Sequence, residues 1–321
     1  MMSRLVQIRR ATPHTAGTGG DRRQRVARWT AFAVVYLVWG STYLAIKVMV
    51  GTIPPLLGAG VRFLVAGLLL AGWVTARHGR AAFTWRPRQL GAVALTGLLL
   101  VVGGPGLTTV AEQHVPSGLA ALLVASVPLW VVLWRLAARE HVGLLPAAGV
   151  VLGLVGVGVL VWPAGGRGVV AGASLLGVGL LLVVALSYAT GSFLSPRLPL
   201  PADTFSTSAA QMLLAGLTMT AAGLLTGEAS RLDFASVSSS SVWALSYLIG
   251  PGSLLAYTAY VWLLAHVPVA KVTTYAYVNP VVAVLLGWLV LSEQLTARIL
   301  VGAALTLAGV AAVVTTARQP H

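Results

Sequence analysis

HVPSGLAALLVASVP (residues 114–128) and HVPVAKVTTYAYVNP (residues 266–280) open on the same tripeptide and close on proline at one constant offset. After a one-residue slip the series continues, with Glu140 opposite Glu293, Gly149 opposite Gly302 and Gly156 opposite Gly309. Upstream, Arg62-Phe63-Leu64-Val65-Ala66-Gly67 lines up with Gln211-Met212-Leu213-Leu214-Ala215-Gly216. One match among so many Ala, Leu and Gly residues would be chance. An ordered series across most of each half marks two related units in tandem.

The 321 residues are 57% hydrophobic and only 9% charged, with a mean hydropathy of +0.88. A water-soluble domain carries far more charge, so lipid is the expected solvent. A bilayer core of about 30 Å takes roughly 20 apolar residues per helical span. Apolar runs at 30–50, 56–76, 89–111, 117–138, 143–162, 173–194, 204–226, 241–264, 268–291 and 298–316 supply them. Their ends carry Pro, Gly and charge, as at Pro54-Pro55 and Arg86-Pro87-Arg88. The first run is too long for a signal-peptide core and no cleavage site follows it, so it is read as a retained helix. Lipid offers no partner to an open strand edge, which makes every span a helix.

The expectation is therefore an all-α membrane protein of ten transmembrane helices in two inverted five-helix repeats. Residues 1–29 form a basic cytoplasmic tail expected to be disordered, 30–163 the first unit and 172–316 the second. Five spans is an odd number, so the second unit enters the membrane from the opposite side, a frequent secondary-transporter design. The competing reading is a duplication that merely enlarges a bundle.

A formal net charge of +14 raises the question of nucleic acid, but its placement argues against that partner. Arg4, Arg9, Arg10, Arg22, Arg23, Arg25 and Arg28 crowd the start, and most other basic residues sit between apolar runs. With both termini cytoplasmic, Arg77, Arg80, Arg86, Arg88, Arg135, Arg139, Arg197, Lys271 and Arg318 also face inward, leaving Arg167, Arg231 and Arg298 outside. That bias sets the expected orientation in a plasma (inner) membrane.

Ionisable groups within a span cost about 2.5–3.5 kcal/mol each, so each one calls for a reason. Arg62 lies about two turns inside the second span and Lys47 near the end of the first. The functional reading is an Arg62–Glu112 pairing or a polar cavity wall that handles a charged solute or proton; the alternative is that both snorkel to the headgroups. Glu112 and His114 are titratable neighbours and candidates for proton coupling, unless both simply meet water in a short connection. His266, the repeat mate of His114, is expected at a solvated helix end.

Asn279, the sole asparagine, precedes Pro280 inside the ninth span, and Pro128 is the repeat mate in the fourth. A proline frees a carbonyl, so a matched pair of interrupted helices points to a midplane binding site. Thr273, Thr274, Tyr275 and Tyr277 make the ninth span unusually polar and aromatic, which suits a cavity wall. Trp39 and Tyr43, with Tyr36 nearby, share a helix face and offer rings to apolar or cationic solutes. Trp29, Trp73, Trp85, Trp162 and Trp243 fall near span ends, the usual place for belt residues. The substrate-cavity set is thus Trp39, Tyr43, Arg62, Pro128, Thr274, Tyr275, Asn279 and Pro280. In the fifth and tenth spans Gly149, Gly153, Gly302 and Gly309 give flat faces, read as packing surfaces at the periphery of each unit and as a homodimer contact.

WGSTYLAIK (39–47), Pro54-Pro55 and Arg62-Phe63 resemble the opening of the EamA-type transporters of the drug/metabolite transporter superfamily. AEQHVPSGLAALLVASVPLW (111–130) is similar to the third-to-fourth helix segment of an exporter-like branch, and NPVVAVLLGWLVLSEQLTARILVGAALTLAGV (279–310) to the closing helix pair. The resemblance spans roughly residues 30–316 and implies two EamA units around a central cavity lined mainly by helices 1–4 and 6–9. Glu140 and Glu293 occupy the family's acidic position after the fourth helix of each unit. The first reads AREHVG in place of an LGE-like turn, and Tyr188 stands where many relatives place Trp.

HExxH, Walker-lysine and GxSxG patterns are absent from the sequence. Gly166-x-Gly168-x-x-Ala171 fits a loose dinucleotide fingerprint but lies in a short connection. With no cysteines there is no thiolate metal site or disulfide. The expected function is secondary active export of small metabolites or drugs by alternating access, with protons as a coupling partner and no cofactor. Import or uniport by the same fold, or a non-transporting membrane enzyme or sensor, are the alternatives.

Overall fold

Proline and glycine punctuate the chain where the helices start and stop. Pro55 and Pro87 occupy first turns, where a missing N–H costs nothing, and Gly79, at φ 73°, ends the second helix. The computed structural model describes residues 18–162, 173–267 and 269–316, and within these the secondary structure is helical, without strands. Among the described residues nine helices are long and apolar enough to cross a membrane: α1 (Arg23–Met49), α2 (Pro55–His78), α3 (Pro87–Ala111), α4 (Ser117–Ala137), α5 (Leu144–Val161), α6 (Leu175–Arg197), α7 (Thr204–Leu225), α8 (Ser239–Leu264) and α10 (Ala297–Thr315). Between the last two lies a shorter apolar helix, α9 (Tyr275–Leu291).

Hydrogen bonds sort the helix ends into two groups. The end of α1, the α3–α4 turn, the start of α6 and the α9–α10 turn share what we call the Glu293 end: Lys47 donates to the carbonyls of Glu112 and Val115, Ser174 N to that of His114, and Ser117 N to Glu293. The opposite, Glu140, end holds the α4–α5 turn and the end of α6, joined by the Arg197–Glu140 ion pair.

Two helix pairs show a local two-fold relation. At Gly67 of α2 a Cβ would lie 2.9 Å from Leu213 N of α7, and at Gly216 of α7 it would lie 2.5 Å from Leu64 N of α2. Gly67 and Gly216 are repeat mates, as are Leu64 and Leu213, so one contact is the image of the other. Likewise a Cβ at Gly309 would sit 2.5 Å from the carbonyl of Gly149, and one at Gly302 would sit 3.2 Å from that of Gly156. The glycine faces of α5 and α10 therefore pack on each other. They are not the free homodimer surface expected from the sequence; the outward faces carry Val151, Val155, Leu300 and Val301 instead.

Two further expectations need correction. Residues 18–28, placed in a disordered tail, are helical and continue α1, since Arg, Gln and Ala favour a helix once a long one is present to extend. The fourth span is interrupted as expected, at Ala125–Ser126, inside the turn whose Val124 carbonyl receives no N–H from Pro128, which falls in the first turn of the segment that follows. Pro280 lies inside the continuous helix α9, and the ninth span is broken at Thr273–Thr274, between a single turn (Val269–Val272) and α9. The tail before residue 18, Pro268, Arg318 and the Gly166–Ala171 fingerprint fall outside the described residues.

Candidate functional site

The most irregular backbone in the membrane-spanning helices is a second repeat pair that the sequence reading passed over. Gly104-Pro105-Gly106 in α3 and Gly250-Pro251-Gly252 in α8 each sit in a run of wide, π-type turns, Leu98–Gly106 and Leu248–Leu255. Proline withholds a backbone donor, and a widened turn leaves carbonyls open to side-chain donors. In α8, Ser253 Oγ donates to the carbonyl of Leu248 (2.8 Å), and the carbonyl of Gly252 accepts from Trp39 Nε1 (3.1 Å). In α3, the carbonyl of Leu99 accepts from Ser187 Oγ of α6 (3.0 Å). Gly104, at φ −90° and ψ −113°, leaves the helical path and lets the Tyr188 ring approach, where a Cβ would meet Cδ2 at 2.7 Å.

Arg62 of α2 is aimed at the α8 run. It is 5% exposed, its Nε donates to Ser253 Oγ (3.0 Å), and its Nη1 is buried without a hydrogen-bond partner among the described residues. The alternative of snorkelling to the headgroups is thereby overturned. Its repeat mate Gln211 makes the complementary move, donating from Nε2 to Thr96 Oγ1 of α3 (2.7 Å). Each unit sends one buried polar side chain from its second helix to the irregular helix of the other.

Glu112, placed by one alternative in water, is 0% exposed, and neither carboxylate oxygen has a partner among the described residues. It lies within electrostatic range of Lys47, Glu293 and Arg62, yet makes no ion pair within 4.0 Å with any described residue. The expected direct Arg62–Glu112 pairing is thus not formed. Lys47 is committed to backbone: Nζ donates to the carbonyls of Glu112 (2.6 Å) and Val115 (2.9 Å), closing the C-terminal end of α3 as a cation suits a helix C-terminus. His114 sits in the same turn, half-buried, with its Cβ against Gly177.

An aromatic wall adjoins the buried charges. Trp39 packs against Tyr260 (5.2 Å between centroids) and Tyr275 (5.3 Å), which meet each other edge to face at 5.7 Å. Tyr36 and Thr274 are joined through their hydroxyls, and so are Ser208 and Tyr257. Tyr43 is packed against the cluster that holds Leu119 and Leu123. Asn279 is buried and its Oδ1 has no partner among the described residues; Gly40 of α1 lies against its carbonyl, where a Cβ would be 3.1 Å away. Tyr277 turns from this wall to the cluster of Leu129, Val132 and Val310, and Pro128 lies in the first turn of the second α4 segment. His266 is exposed and stacks on Trp262, the expected helix end.

The structure thus gathers Trp39, Tyr275 and Thr274 on one wall, with Arg62 reaching the same α8 turn as Trp39. Tyr188, noted in the sequence only as a departure from the family's Trp, belongs to this region, as do Tyr257, Tyr260 and Ser253, which were not singled out from the sequence. The duplicated Gly-Pro-Gly was the signal that would have found them. Among the described residues no group of three His, Asp or Glu side chains is placed to hold a metal.

The sequence profile of the EamA-like transporter family matches twice, over residues 29–162 and 175–315. The chain belongs to the EamA-like transporter family. The uncharacterized inner membrane transporter YedA of Escherichia coli K12 is 40% identical over 266 residues, covering 83% of each chain. The uncharacterized transporter YoaV of Bacillus subtilis is 26% identical over 280 residues, 86% of this chain and 92% of that one. A solved crystal structure shares the fold, with a TM-score of 0.61 at 23% identity, covering 90% of this chain and 98% of that one. As an EamA-family transporter the chain works in lipid on a small solute, and the buried Arg62, Glu112 and aromatic wall are its polar interior.

Proposed function

We propose that this EamA-family protein is a secondary carrier of the bacterial inner membrane that exports small metabolites or drugs by alternating access. Arg62, Glu112, Trp39, Tyr43, Tyr275, Thr274 and Asn279 line the solute path, and Glu112 carries the coupling proton. The observation that bears most weight is the pair Arg62 and Glu112: two ionisable groups, buried in a lipid-embedded bundle, with Nη1 and both carboxylate oxygens unpartnered among the described residues. Such groups are expensive in a membrane interior and persist where a solute or a proton uses them.

Two inverted five-helix units, 30–163 and 172–316, would rock about this centre with both termini cytoplasmic. The reciprocal contacts Gly67–Leu213 and Gly216–Leu64 support that arrangement. Export to the far side is the reading carried by the exporter-like segment at 111–130, and the name of the YedA relative supports the inner-membrane location.

The test is flux of candidate amino acids and cationic drugs in proteoliposomes, with and without a pH gradient, for the native chain and for Glu112→Gln. We expect gradient-driven flux that Glu112→Gln reduces to gradient-independent exchange. Flux indifferent to the gradient in both proteins removes proton coupling; no flux of any solute removes the carrier reading. Net accumulation in cells distinguishes import from export.

A further inference from the structure

Helices α2 and α4 begin on residues that cannot cap them. Their N-caps are Pro54 and Pro116, which offer no side-chain acceptor to the free N–H groups of the first turn. In both cases a glutamate from the second half supplies it. Glu228 accepts from Leu56 N (3.2 Å) and Leu57 N (3.0 Å). Glu293 accepts from Ser117 N (2.7 Å), Ser117 Oγ (2.8 Å) and Gly118 N (3.0 Å). Helices α6, α7 and α8 are instead capped locally by Ser174, Asp203 and Ser238. A carboxylate at a helix start is favourable, so a cap given across the halves ties that gain to how the halves meet.

The repeat shows that this contact is one of two alternatives. Arg139 and Ser292 both have left-handed backbone (φ 58° and 54°), and each is followed by the repeat-related glutamate. The amides of Glu140 and Glu293 then bond back to the carbonyls of Arg135 (2.9 Å) and Gly287 (3.1 Å). The two turns are built alike, but their carboxylates differ in use: Glu293 caps a helix of the other half, whereas Glu140 is held by Arg135 and Arg197. The space for the Glu293 latch is made by glycine, since a Cβ at Gly118 would lie 3.3 Å from its Oε2. Glu293 is also partly exposed, so its charge can be hydrated once released.

We propose that Glu293 and Glu228 are releasable latches that hold the carrier shut at the Glu293 end, and that opening there begins with loss of these two cross-half caps. Glu140 is the same device at the other end, undone. This inference rests on the carrier reading above, and it gives that reading a gate.

The chain has no cysteines, so a single introduced thiol reports cleanly. Val284 lies beneath the latch, its Cα 3.2 Å from where a Gly118 Cβ would be. The experiment follows the labelling rate of Val284→Cys by a charged maleimide in full-length protein in lipid nanodiscs. We expect Glu293→Gln and Glu228→Gln each to raise the rate about fivefold, the value of roughly one lost cap, and the double variant to raise it further. Glu140→Gln should leave it unchanged. A cysteine at Ala209, buried in α7, should stay unlabelled throughout. An unchanged rate in the latch variants, an equal rise in Glu140→Gln, or labelling at position 209 would each overturn the proposal. The readout needs no solute, so faster labelling without any flux would sink the carrier reading and leave the latches standing.

Discussion

The two ends of the bundle are built from repeat-related turns, yet they are tied together very differently. At the Glu293 end the halves are joined by the caps from Glu228 and Glu293, by Thr52 with Ser238 and Ser241, by Ser174 N on the carbonyl of His114, and by Arg298 on that of Val159. At the Glu140 end the hydrogen bonds that join the halves among the described residues are fewer: Arg197 to Glu140, and Tyr36 of α1 with Thr274 at the start of α9. Between the ends, α2 with α7 and α5 with α10 keep reciprocal contacts. The difference separates scaffold from gate. A carrier that opens one side at a time keeps its scaffold symmetric and breaks symmetry at its ends.

The largest expected effect falls on the scaffold. Gly309→Val places side-chain atoms on the α5 backbone, which cannot give way, and should cost about 3 kcal/mol or more. Thermal unfolding in detergent checks this, and a tolerated valine would break the close reciprocal contact.

Next comes Trp39→Phe, which keeps a ring against Tyr260 and Tyr275 but leaves the carbonyl of Gly252 without its donor. A loss of about 1 kcal/mol is expected, with flux reduced more than folded yield. A change in yield alone would make Trp39 a packing residue.

Asp203→Ala sharpens the contrast between the two kinds of cap. It removes a local cap on α7 and should cost about 1 kcal/mol, without altering labelling at Val284→Cys. A latch-like rise there would erase the distinction.

The smallest effect is on pH. The hydrogen bond from Arg135, and then the charge of Arg197, hold the Glu140 carboxyl below the usual carboxylate range. A group with a lowered folded value contributes fully above its unfolded value, about 4.3, and loses that contribution as pH falls through the folded one. Spin labels at Ala138 and Ala202 should therefore keep their separation down to about pH 4.3 and spread only below it. Spreading near neutral pH would mean that the ion pairs do not hold this end.

Much of the fold was legible because polar and special residues are rare in this chain and therefore mark register. Arg62 and Gln211, and the glycines of α5 and α10, carried the repeat. Legibility failed where one dimension hides depth. Glu112 stands one residue past the last of α3, a place that reads as water, yet Lys47 folds the turn inward and buries it. Pro280 was read as a break because proline usually makes one; the break is at Thr273–Thr274, where no proline stands. The caps on Pro54 and Pro116 come from Glu228 and Glu293, more than a hundred positions away, and local pattern cannot show a cap supplied in trans. Tyr260 reads as an ordinary span residue until Trp39, bonded to the α8 Gly-Pro-Gly turn, packs against it.

Two label pairs in lipid nanodiscs test the central claim most directly: Gln113 with Gln294 at the Glu293 end, and Ala138 with Ala202 at the Glu140 end, each measured by electron–electron distance in native and Glu293→Gln backgrounds. An alternating carrier gives distances that move in opposite senses, the first pair lengthening as the second shortens, with Glu293→Gln favouring the long form of the first. Both pairs fixed at single distances, or lengthening together, would contradict it.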